Sequence, residues 1–446
     1  MANFSKSNVP QFSVDVYQNE YLPEGGREVN AIATVTSTGG GTAGSVAGTS
    51  YAPGQGPAAG VAIMVDCSGS MDYPPTKIRN ARDATAAAVD TLRDGTHFAV
   101  IGGTHVAKEV YPGGGRLAVA DRTTREQAKQ ALRRLSAGGG TAIGTWLRLA
   151  DRLLSSADLT IRHGIMLTDG RNEHESPEDL KAALDSCAGR FTCDARGVGT
   201  DWEVKEVTGV ASALLGTADI VADPTELAAD FTQMMETAMG KEVADVALRL
   251  WTPVGTTTKF VKQVAPTVDE LTGRRTEAGP RAGDYPTGSW GDESRDYHIC
   301  VEVPTAGLGQ EMLAARVSLV VPQPDGTVQN LGAQGLIRAV WTDDMVASTS
   351  INPQVAHYTG QAELAQAIQQ GLDLRKAGDM DGATAKLGRA VQLAGASGNA
   401  DTAKLLAKVV DVVDAATGTV RLKAKVAEAD EMTLETRSTK TVRVKK

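Results

Sequence analysis

Short apolar runs alternate with amphipathic stretches across the middle of the chain, between residues 60 and 240. Residues 61–65 form an uninterrupted apolar run of strand length, and residues 76–94 carry apolar side chains at the spacing of one helix face. Strand-like runs follow at 98–101, 106–111, 163–168, 191–198 and 220–222, and helical stretches at 124–135, 141–155, from 176, 202–215 and 223–239. Repeated strand–helix units predict a parallel sheet covered by helices on both faces.

The pattern changes after residue 242. Strand-length segments at 246–251, 256–261, 297–303, 316–321 and 336–340 are separated by turn signals such as Pro324-Asp-Gly. They predict an antiparallel β-sandwich. Two further strands within residues 11–36 cannot bury a core alone, so we expect them to pair with the sandwich. The α/β domain is then an insertion in that sandwich.

The last part of the chain is predicted to be helical. Three helices, at 354–377, 381–394 and 399–416, form a helical hairpin or small three-helix unit, because one tetratricopeptide-like pair cannot stack into a solenoid. The predicted domains are 1–58 (N-terminal strands and a Gly-rich linker), 59–241 (α/β), 242–345 (β-sandwich), 352–418 (helical) and 419–446 (an extended, threonine-rich basic tail). The expected architecture is therefore multidomain, α/β plus β plus α.

Length, charge and cysteine content exclude several classes of function. A length of 446 residues fits about three domains of ~150 residues each. A net charge of -9 argues against a nucleic-acid partner, and no apolar run approaches the ~18 residues of a membrane span. The four cysteines form no Cys-x-x-Cys pair, so a zinc site is not expected. Because no signal peptide pattern opens the chain, we expect a cytoplasmic location.

Oxygen-bearing side chains follow three of the predicted strand and loop segments. Asp66 ends the 61–65 run, and Ser68 and Ser70 follow it; Thr141 comes after three glycines, and Asp169 follows the 163–168 strand. The carboxyl ends of parallel strands meet at one edge of a sheet, so these five side chains can converge. A set of hard oxygen ligands suits Mg²⁺. Cys67, between two of these residues, is expected to pack in the core.

Asp-x-Ser-x-Ser, then Thr, then Asp, on three successive loops resembles the metal-ion-dependent adhesion site of von Willebrand factor A (VWA) domains of the intracellular bacterial type. The resemblance covers roughly residues 60–240 and agrees with a doubly wound, Rossmann-like domain. It implies that Ser68, Ser70 and Thr141 ligate the metal directly, with Asp66 and Asp169 acting through bound waters or from just behind the ligands. The implied cation is Mg²⁺, with Mn²⁺ and Ca²⁺ as alternatives.

The resemblance also implies a role. A protein partner offering an Asp or Glu side chain completes the metal coordination, as in an adaptor or assembly protein that works with ATPases or signalling proteins. Catalysis is not expected. An aspartyl phosphoryl-transfer enzyme needs a second carboxylate where Ser68 stands, and neither a Gly-x-Ser-x-Gly nor a Gly-x-x-x-x-Gly-Lys-Ser/Thr motif is present.

Two alternatives stay open. In the first, the protein is a structural scaffold or signalling component whose sandwich and helical domain bind its partners, and the metal site is secondary. In the second, the threonines of a mobile tail are phosphorylated and read by a phosphothreonine-binding partner; these are Thr433, Thr436, Thr439 and Thr441. Asp72 and Asp201 are interpreted as solvated loop acids beside the site, and His163 and His174 show no metal-ligand spacing.

Overall fold

The computed structural model of the protein describes residues 10–38, 57–323 and 325–444. These residues form two compact units. The α/β unit comprises residues 57–244 and 288–291, and the β/helical unit comprises residues 10–38, 245–287 and 292–444. Most of the predicted Gly-rich linker, at 39–56, lies outside the described residues. None of the described helices is long and apolar enough to cross a membrane.

The two N-terminal strands are present, with a short extra strand between them. They are β1 (Gln11–Gln18), β2 (Tyr21–Leu22) and β3 (Glu28–Thr38). β1 pairs with β3 in antiparallel register. The turn before β3 contains Gly25 at φ +76°, a left-handed conformation that glycine adopts without a steric cost.

The α/β unit contains every strand and helix predicted for it. Its strands are β4 (Ala59–Asp66), β5 (His97–Gly103), β6 (Lys108–Tyr111), β7 (Ala118–Val119), β8 (Ile161–Thr168), β9 (Thr192–Val198) and β10 (Ala218–Val221). Its helices are α1 (Thr76–Thr91), α2 (Arg122–Arg133), α3 (Ile143–Leu154), α4 (Pro177–Cys187), α5 (Val204–Ala213) and α6 (Leu227–Met239). The sheet order is β10-β9-β8-β4-β5-β6, with β7 beside β5. β6 and β7 run antiparallel to β5, so the sheet is mixed, whereas the repeated strand–helix units predict a parallel sheet.

The strand order reverses at the centre of this sheet. The chain steps from β4 to β5 on one side, and β8 lies on the other side of β4. Such a reversal leaves a crevice at the carboxyl ends of the two central strands. β4 is buried along nearly its whole length, which explains its continuous apolar run. The helix α1 covers the sheet with one apolar stripe that includes Ile78, Ala81 and Val89.

The β/helical unit is built on two sheets. The strands that β1, β2 and β3 join in these sheets are β11 (Val243–Trp251), β12 (Thr257–Ala265), β13 (Asp269–Glu270), β14 (Thr276–Gly279), β15 (Ala282–Trp290), β16 (Glu293–Glu302), β17 (Glu311–Pro322) and β18 (Val328–Trp341). One sheet has the order β1-β3-β16-β12-β13 and the other β14-β15-β11-β17-β18-β2. β3 pairs with β16 in antiparallel register, and β2 pairs with β18 in parallel register. Glycines and a proline interrupt the apolar pattern of β14 and β15, which were not predicted.

The helical region differs from its prediction at one end. Its helices are α7 (Met345–Thr349), α8 (Pro353–Lys376), α9 (Met380–Ser397), α10 (Ala400–Val409) and α11 (Glu428–Arg437), and a hairpin joins β19 (Val410–Asp414) to β20 (Thr419–Leu422). The predicted third helix, 399–416, is too long, because residues 410–414 are a strand. This segment is rich in valine, whose branched Cβ favours extended backbone.

The prediction of an extended tail at 419–446 is wrong at residues 428–437, which form the helix α11, whereas residues 419–422 form the strand β20. Leu434 of α11 is fully buried in the core that α8 and α9 share, and the Glu435 carboxylate lies 2.7 Å from Lys376 Nζ. Acidic residues in the first turn of α11 favour a helix start. The hydroxyls of Thr436 and Thr441 donate to backbone carbonyls at 2.7 Å. These contacts hold the hydroxyls of Thr436 and Thr441 within the fold, and phosphorylation of the threonines stays a prediction.

Candidate metal centre

Asp66 stands at the carboxyl end of β4, in the crevice where the strand order reverses. Its side chain is fully buried. One carboxylate oxygen accepts the Ser68 amide proton at 2.8 Å, and the other accepts the Thr168 hydroxyl proton at 2.7 Å. Asp66 therefore fixes the first turn of the loop that carries the two serines and joins it to the end of β8.

The serines and Asp169 form a continuous hydrogen-bonded chain. Ser70 Oγ donates to Asp169 Oδ1 at 2.7 Å, and Ser68 Oγ lies 2.9 Å from Ser70 Oγ. Because the single hydroxyl proton of Ser70 goes to Asp169, the Ser68 hydroxyl is the donor between the two serines. The Ser70 oxygen keeps a lone pair that a cation can use.

The glycine-rich loop brings Thr141 to the same place. Gly138 donates its amide to the Cys67 carbonyl at 2.8 Å, and Gly69 donates to the Gly139 carbonyl at 2.8 Å. The amide of Thr141 donates to His174 Nδ1 at 3.2 Å. Two backbone hydrogen bonds thus hold this loop against the serine loop. Gly140 has no room for a side chain, because an added Cβ atom would clash with the His174 ring.

A second anchor fixes the start of α3, directly after Thr141. The amide of Ile143 donates to Asn172 Oδ1 at 2.7 Å, and the amide of Gly144 donates to Glu175 Oε1 at 2.7 Å. These two side chains satisfy amides that a helix start otherwise leaves unpaired. Because Asn172 and Glu175 follow Asp169 in one loop, that loop both supplies a carboxylate and positions the threonine.

The three hydroxyls surround one point beside Gly170. A Cβ atom added at Gly170 would lie 3.2 Å from Ser70 Oγ, 3.5 Å from Thr141 Oγ1 and 3.8 Å from Ser68 Oγ. We call these three groups the three-hydroxyl cluster. The absence of a side chain at position 170 keeps the space next to the cluster open, as a bound cation requires.

The donor set fits a small hard cation. Three neutral hydroxyl oxygens face one point, and two buried carboxylates stand behind them as hydrogen-bond acceptors. Mg²⁺ prefers such oxygen ligands. Within residues 10–38, 57–323 and 325–444, no group of three or more His, Cys, Asp or Glu side chains is arranged to hold a metal, so a zinc-type site is not found there.

One cation of the chain itself contacts this centre. Lys77 Nζ lies 2.8 Å from Asp169 Oδ2 and 3.2 Å from Asp201 Oδ2. Asp169 is fully buried, whereas the Asp201 side chain is 69% exposed. Burial lowers the pKa of Lys77, but its bonds to Asp169 and Asp201 outweigh this effect and raise the pKa. The lysine therefore stays charged and compensates the buried carboxylate.

The structure brings together all five residues of the predicted site, Asp66, Ser68, Ser70, Thr141 and Asp169. Their binding of a metal stays a prediction. His163 lies elsewhere, bonded to Asp194 at 2.8 Å and Thr192 at 3.0 Å. Cys67 is buried, and burial raises the pKa of its thiol to about 12, which agrees with a packing role.

Sequence reasoning missed several residues that complete the arrangement. They are Lys77, Thr168, Gly170, Asn172 and Glu175. Thr168 and Gly170 flank Asp169, so their position beside the site could have been inferred from the chain. The roles of the other three depend on contacts between separate loops, which no local pattern reveals.

The protonation of Asp66 predicts a pH-dependent response to magnesium. Burial raises the pKa of the Asp66 carboxyl from 3.8 to about 6, against the hydrogen bonds from Ser68 and Thr168. A carboxyl whose pKa is higher in the folded state stabilises the protein below pH 3.8, and this contribution of about 3 kcal/mol is lost as pH rises through 6. A bound cation favours the carboxylate, so Mg²⁺ should raise Tm more at pH 7.5 than at pH ~5.

The measurement is the difference in Tm between Mg²⁺ and EDTA at both pH values. In an Asp66→Asn variant this difference should no longer change between them. Equal Mg²⁺-induced shifts in the wild type at pH 7.5 and pH ~5 would contradict the prediction.

Two family profiles match the chain. The profile described as "von Willebrand factor type A domain" matches residues 59–220, and the profile described as "von Willebrand factor type A C-terminal domain" matches residues 392–438. None of the curated proteins compared with the chain matches it.

The solved structures that are similar to this chain include the following three. One is "von Willebrand factor type A from Catenulispora acidiphila", with 52% sequence identity, a TM-score of 0.91 and 99% of both chains covered. The ArnB paralog VWA2 from Sulfolobus acidocaldarius has 12% identity, a TM-score of 0.57 and coverage of 97% of this chain and 98% of that chain. The human COPII-coat protein Sec24c has 9% identity, a TM-score of 0.52 and coverage of 86% and 57%. The last two share the fold alone.

Proposed function

Because this chain belongs to the family of von Willebrand factor type A domain proteins, we propose that its α/β unit is a Mg²⁺-dependent protein-binding module. Members of the family commonly mediate protein–protein interactions. In the proposed complex, Ser68, Ser70 and Thr141 hold the cation, and a carboxylate of the partner completes its coordination. The observation that carries this proposal is the convergence of the three-hydroxyl cluster on one point beside Gly170.

The chemistry of the ligands supports binding over catalysis. Neutral hydroxyls reduce the charge of Mg²⁺ less than carboxylates do, so the cation retains a strong attraction for an anionic ligand. Asp66 and Asp169 already accept hydrogen bonds from the centre, and no third acid stands at position 68 to protonate a leaving group. We propose that the centre recognises a partner's Asp or Glu and performs no reaction.

We also propose that the protein is an intracellular adaptor in which the α/β unit interrupts a β-sandwich module. The pairing of β3 with β16 supports this arrangement, because it joins a strand that precedes the α/β unit to one that follows it. The β/helical unit then offers surfaces of its own to further partners. A scaffold role without metal dependence is the competing function, and the following experiment separates the two.

Ser68→Ala combined with Asp169→Ala should lower Mg²⁺ affinity by at least about 100-fold, because it removes one ligand and the acceptor that orients another. Calorimetric titration with Mg²⁺ measures this loss. Affinity purification with Mg²⁺ or EDTA should show partners that are lost both with the variant and with the chelator. The matched control is Asp185→Ala combined with Ser186→Ala on α4, which makes the same substitutions away from the centre. Partners retained with the variant and in EDTA would support the scaffold function.

A further inference from the structure

A separate cavity lies on one sheet face of the β/helical unit. Its volume is about 280 Å³, and its wall includes Arg249, Trp251, Arg316, Ser318, Asn330 and Gln334. Neighbouring strands bring these residues side by side: Trp251 lies opposite Arg316, and Ser318 lies opposite both Arg249 and Gln334. We call this site the arginine cavity.

A bulge in β18 builds one wall of the arginine cavity. Ser318 pairs with Gln334 and Val320 pairs with Asn330, so three residues of β18 stand opposite the single residue Leu319. Gly332 lies inside this bulge at φ +77°, and its amide donates to Asn330 Oδ1 at 2.8 Å. Bulges of this kind redirect side chains out of the regular pleat. The bulge therefore leaves polar groups beside the arginines instead of continuing a flat strand.

The arginines around Trp251 carry charge that the protein does not neutralise. The guanidinium carbons of Arg281 and Arg316 lie 5.5 and 5.1 Å from the Trp251 ring centre. Across the described ranges, no carboxylate comes within 4.0 Å of the nitrogens of either residue, and Arg316 Nε is shielded from solvent without an acceptor. Buried donors are normally satisfied, whereas this nitrogen of Arg316 has no acceptor among the described residues.

Unlike Arg281 and Arg316, Arg249 is paired with a carboxylate of the protein. Its guanidinium donates two hydrogen bonds to the buried Asp284 carboxylate, at 2.7 and 2.8 Å. This pair fixes one side of the cavity and is neutral overall. The surplus positive charge consequently belongs to Arg281 and Arg316.

We propose that the arginine cavity binds a side-chain carboxylate of an acidic peptide. A planar guanidinium matches the two oxygens of a carboxylate, and stacking on an aromatic ring holds it in place. Ser318, Asn330 and Gln334 supply the hydroxyl and amide groups that can bond to peptide groups. The volume falls below the ~300–1,000 Å³ of typical small-molecule pockets, so the site accommodates one or two side chains and not a whole cofactor.

This site needs no metal and is independent of the function proposed for the α/β unit. Fluorescence anisotropy with fluorescein-labelled hexaglutamate tests it, in a buffer free of divalent cations so that the metal centre does not contribute. EDTA is left out of the assay because it is itself a polycarboxylate. Arg316→Gln should weaken binding by about tenfold. Arg281→Gln, which changes a residue beside Trp251 but outside the cavity wall, should weaken it by less, and the double variant should bind most weakly. Arg316→Lys keeps the positive charge but loses the planar pair of donors that a guanidinium offers to a carboxylate. This variant should bind more weakly than the wild type and more tightly than Arg316→Gln.

Arg338→Gln is the matched control, because it removes the same charge from an exposed position on β18 outside the cavity. It should bind hexaglutamate like the wild type, and thermal unfolding should show that all variants remain folded. Equal weakening by Arg338→Gln would overturn the proposal in favour of general charge attraction. A wild-type Kd weaker than about 1 mM would also overturn it. Displacement of the probe by inorganic phosphate but not by free glutamate would assign the cavity to phosphate instead.

Discussion

Replacing Gly170 by alanine is expected to weaken metal binding at the candidate centre strongly and leave the α/β unit folded. The added methyl group would lie 3.2–3.8 Å from the oxygens of the three-hydroxyl cluster. Mg²⁺ binds its oxygen ligands at about 2.0–2.1 Å, so a cation held by these oxygens would have the added methyl group close beside it and less room for its remaining ligands. The affinity for Mg²⁺ should fall by at least about 100-fold, an effect as large as the loss of a ligand.

Calorimetric titration with Mg²⁺, followed by thermal unfolding in EDTA, measures both parts of this expectation. Gly209→Ala is the matched control, since a Cβ atom at this position of α5 meets no atom within 4 Å. The control should bind Mg²⁺ like the wild type and gain up to about 1 kcal/mol of stability from its higher helix propensity. Wild-type affinity in Gly170→Ala would show that the three hydroxyls do not share a cation.

The α/β unit and the five residues of the site could be predicted because the signals are local. The central strands β4 and β5 are short apolar runs, and the helix α1 repeats apolar residues on one face. The site residues stand directly after such strands or after a glycine run, and the geometry of a doubly wound sheet then brings them to one edge. The apolar pattern of neighbouring residues, together with the known topology of doubly wound sheets, is therefore sufficient to predict this unit.

The errors arose where long-range contacts outweigh local pattern. Residues 428–437 look like a polar tail, yet Leu434 and Thr436 are buried against other helices and the segment is helical. The match of residues 392–438 to a C-terminal domain profile agrees with a folded end. At residues 410–414 the apolar spacing predicts that the helix continues. The segment instead forms a strand, because it pairs with β20 in a hairpin. Contacts of this kind are set by residues far away in the chain.

Lys77 is the site component whose effect is hardest to infer from sequence, and its removal should change both stability and metal affinity. Lys77→Met leaves the fully buried Asp169 without its cation, and removing one partner of a buried pair costs about 3 kcal/mol or more. The EDTA-treated variant should therefore unfold at a lower temperature than the wild type. Its Mg²⁺ affinity should rise by about tenfold, because the lysine no longer repels the cation and the Asp169 charge attracts it more strongly.

Thermal unfolding in EDTA and calorimetric titration with Mg²⁺ separate this role of Lys77 from a purely structural one. A structural lysine would, on removal, disorder the centre and lower stability and Mg²⁺ affinity together, whereas a lysine that substitutes for the missing cation lowers stability and raises affinity. Lys181→Met is the control, because Lys181 forms an exposed pair with Asp185 on α4 and such pairs contribute little. Lys77→Arg, which keeps the charge, should retain more of the wild-type stability in EDTA than Lys77→Met. A Lys77→Met variant that binds Mg²⁺ more weakly than the wild type would refute competition between the lysine and the metal.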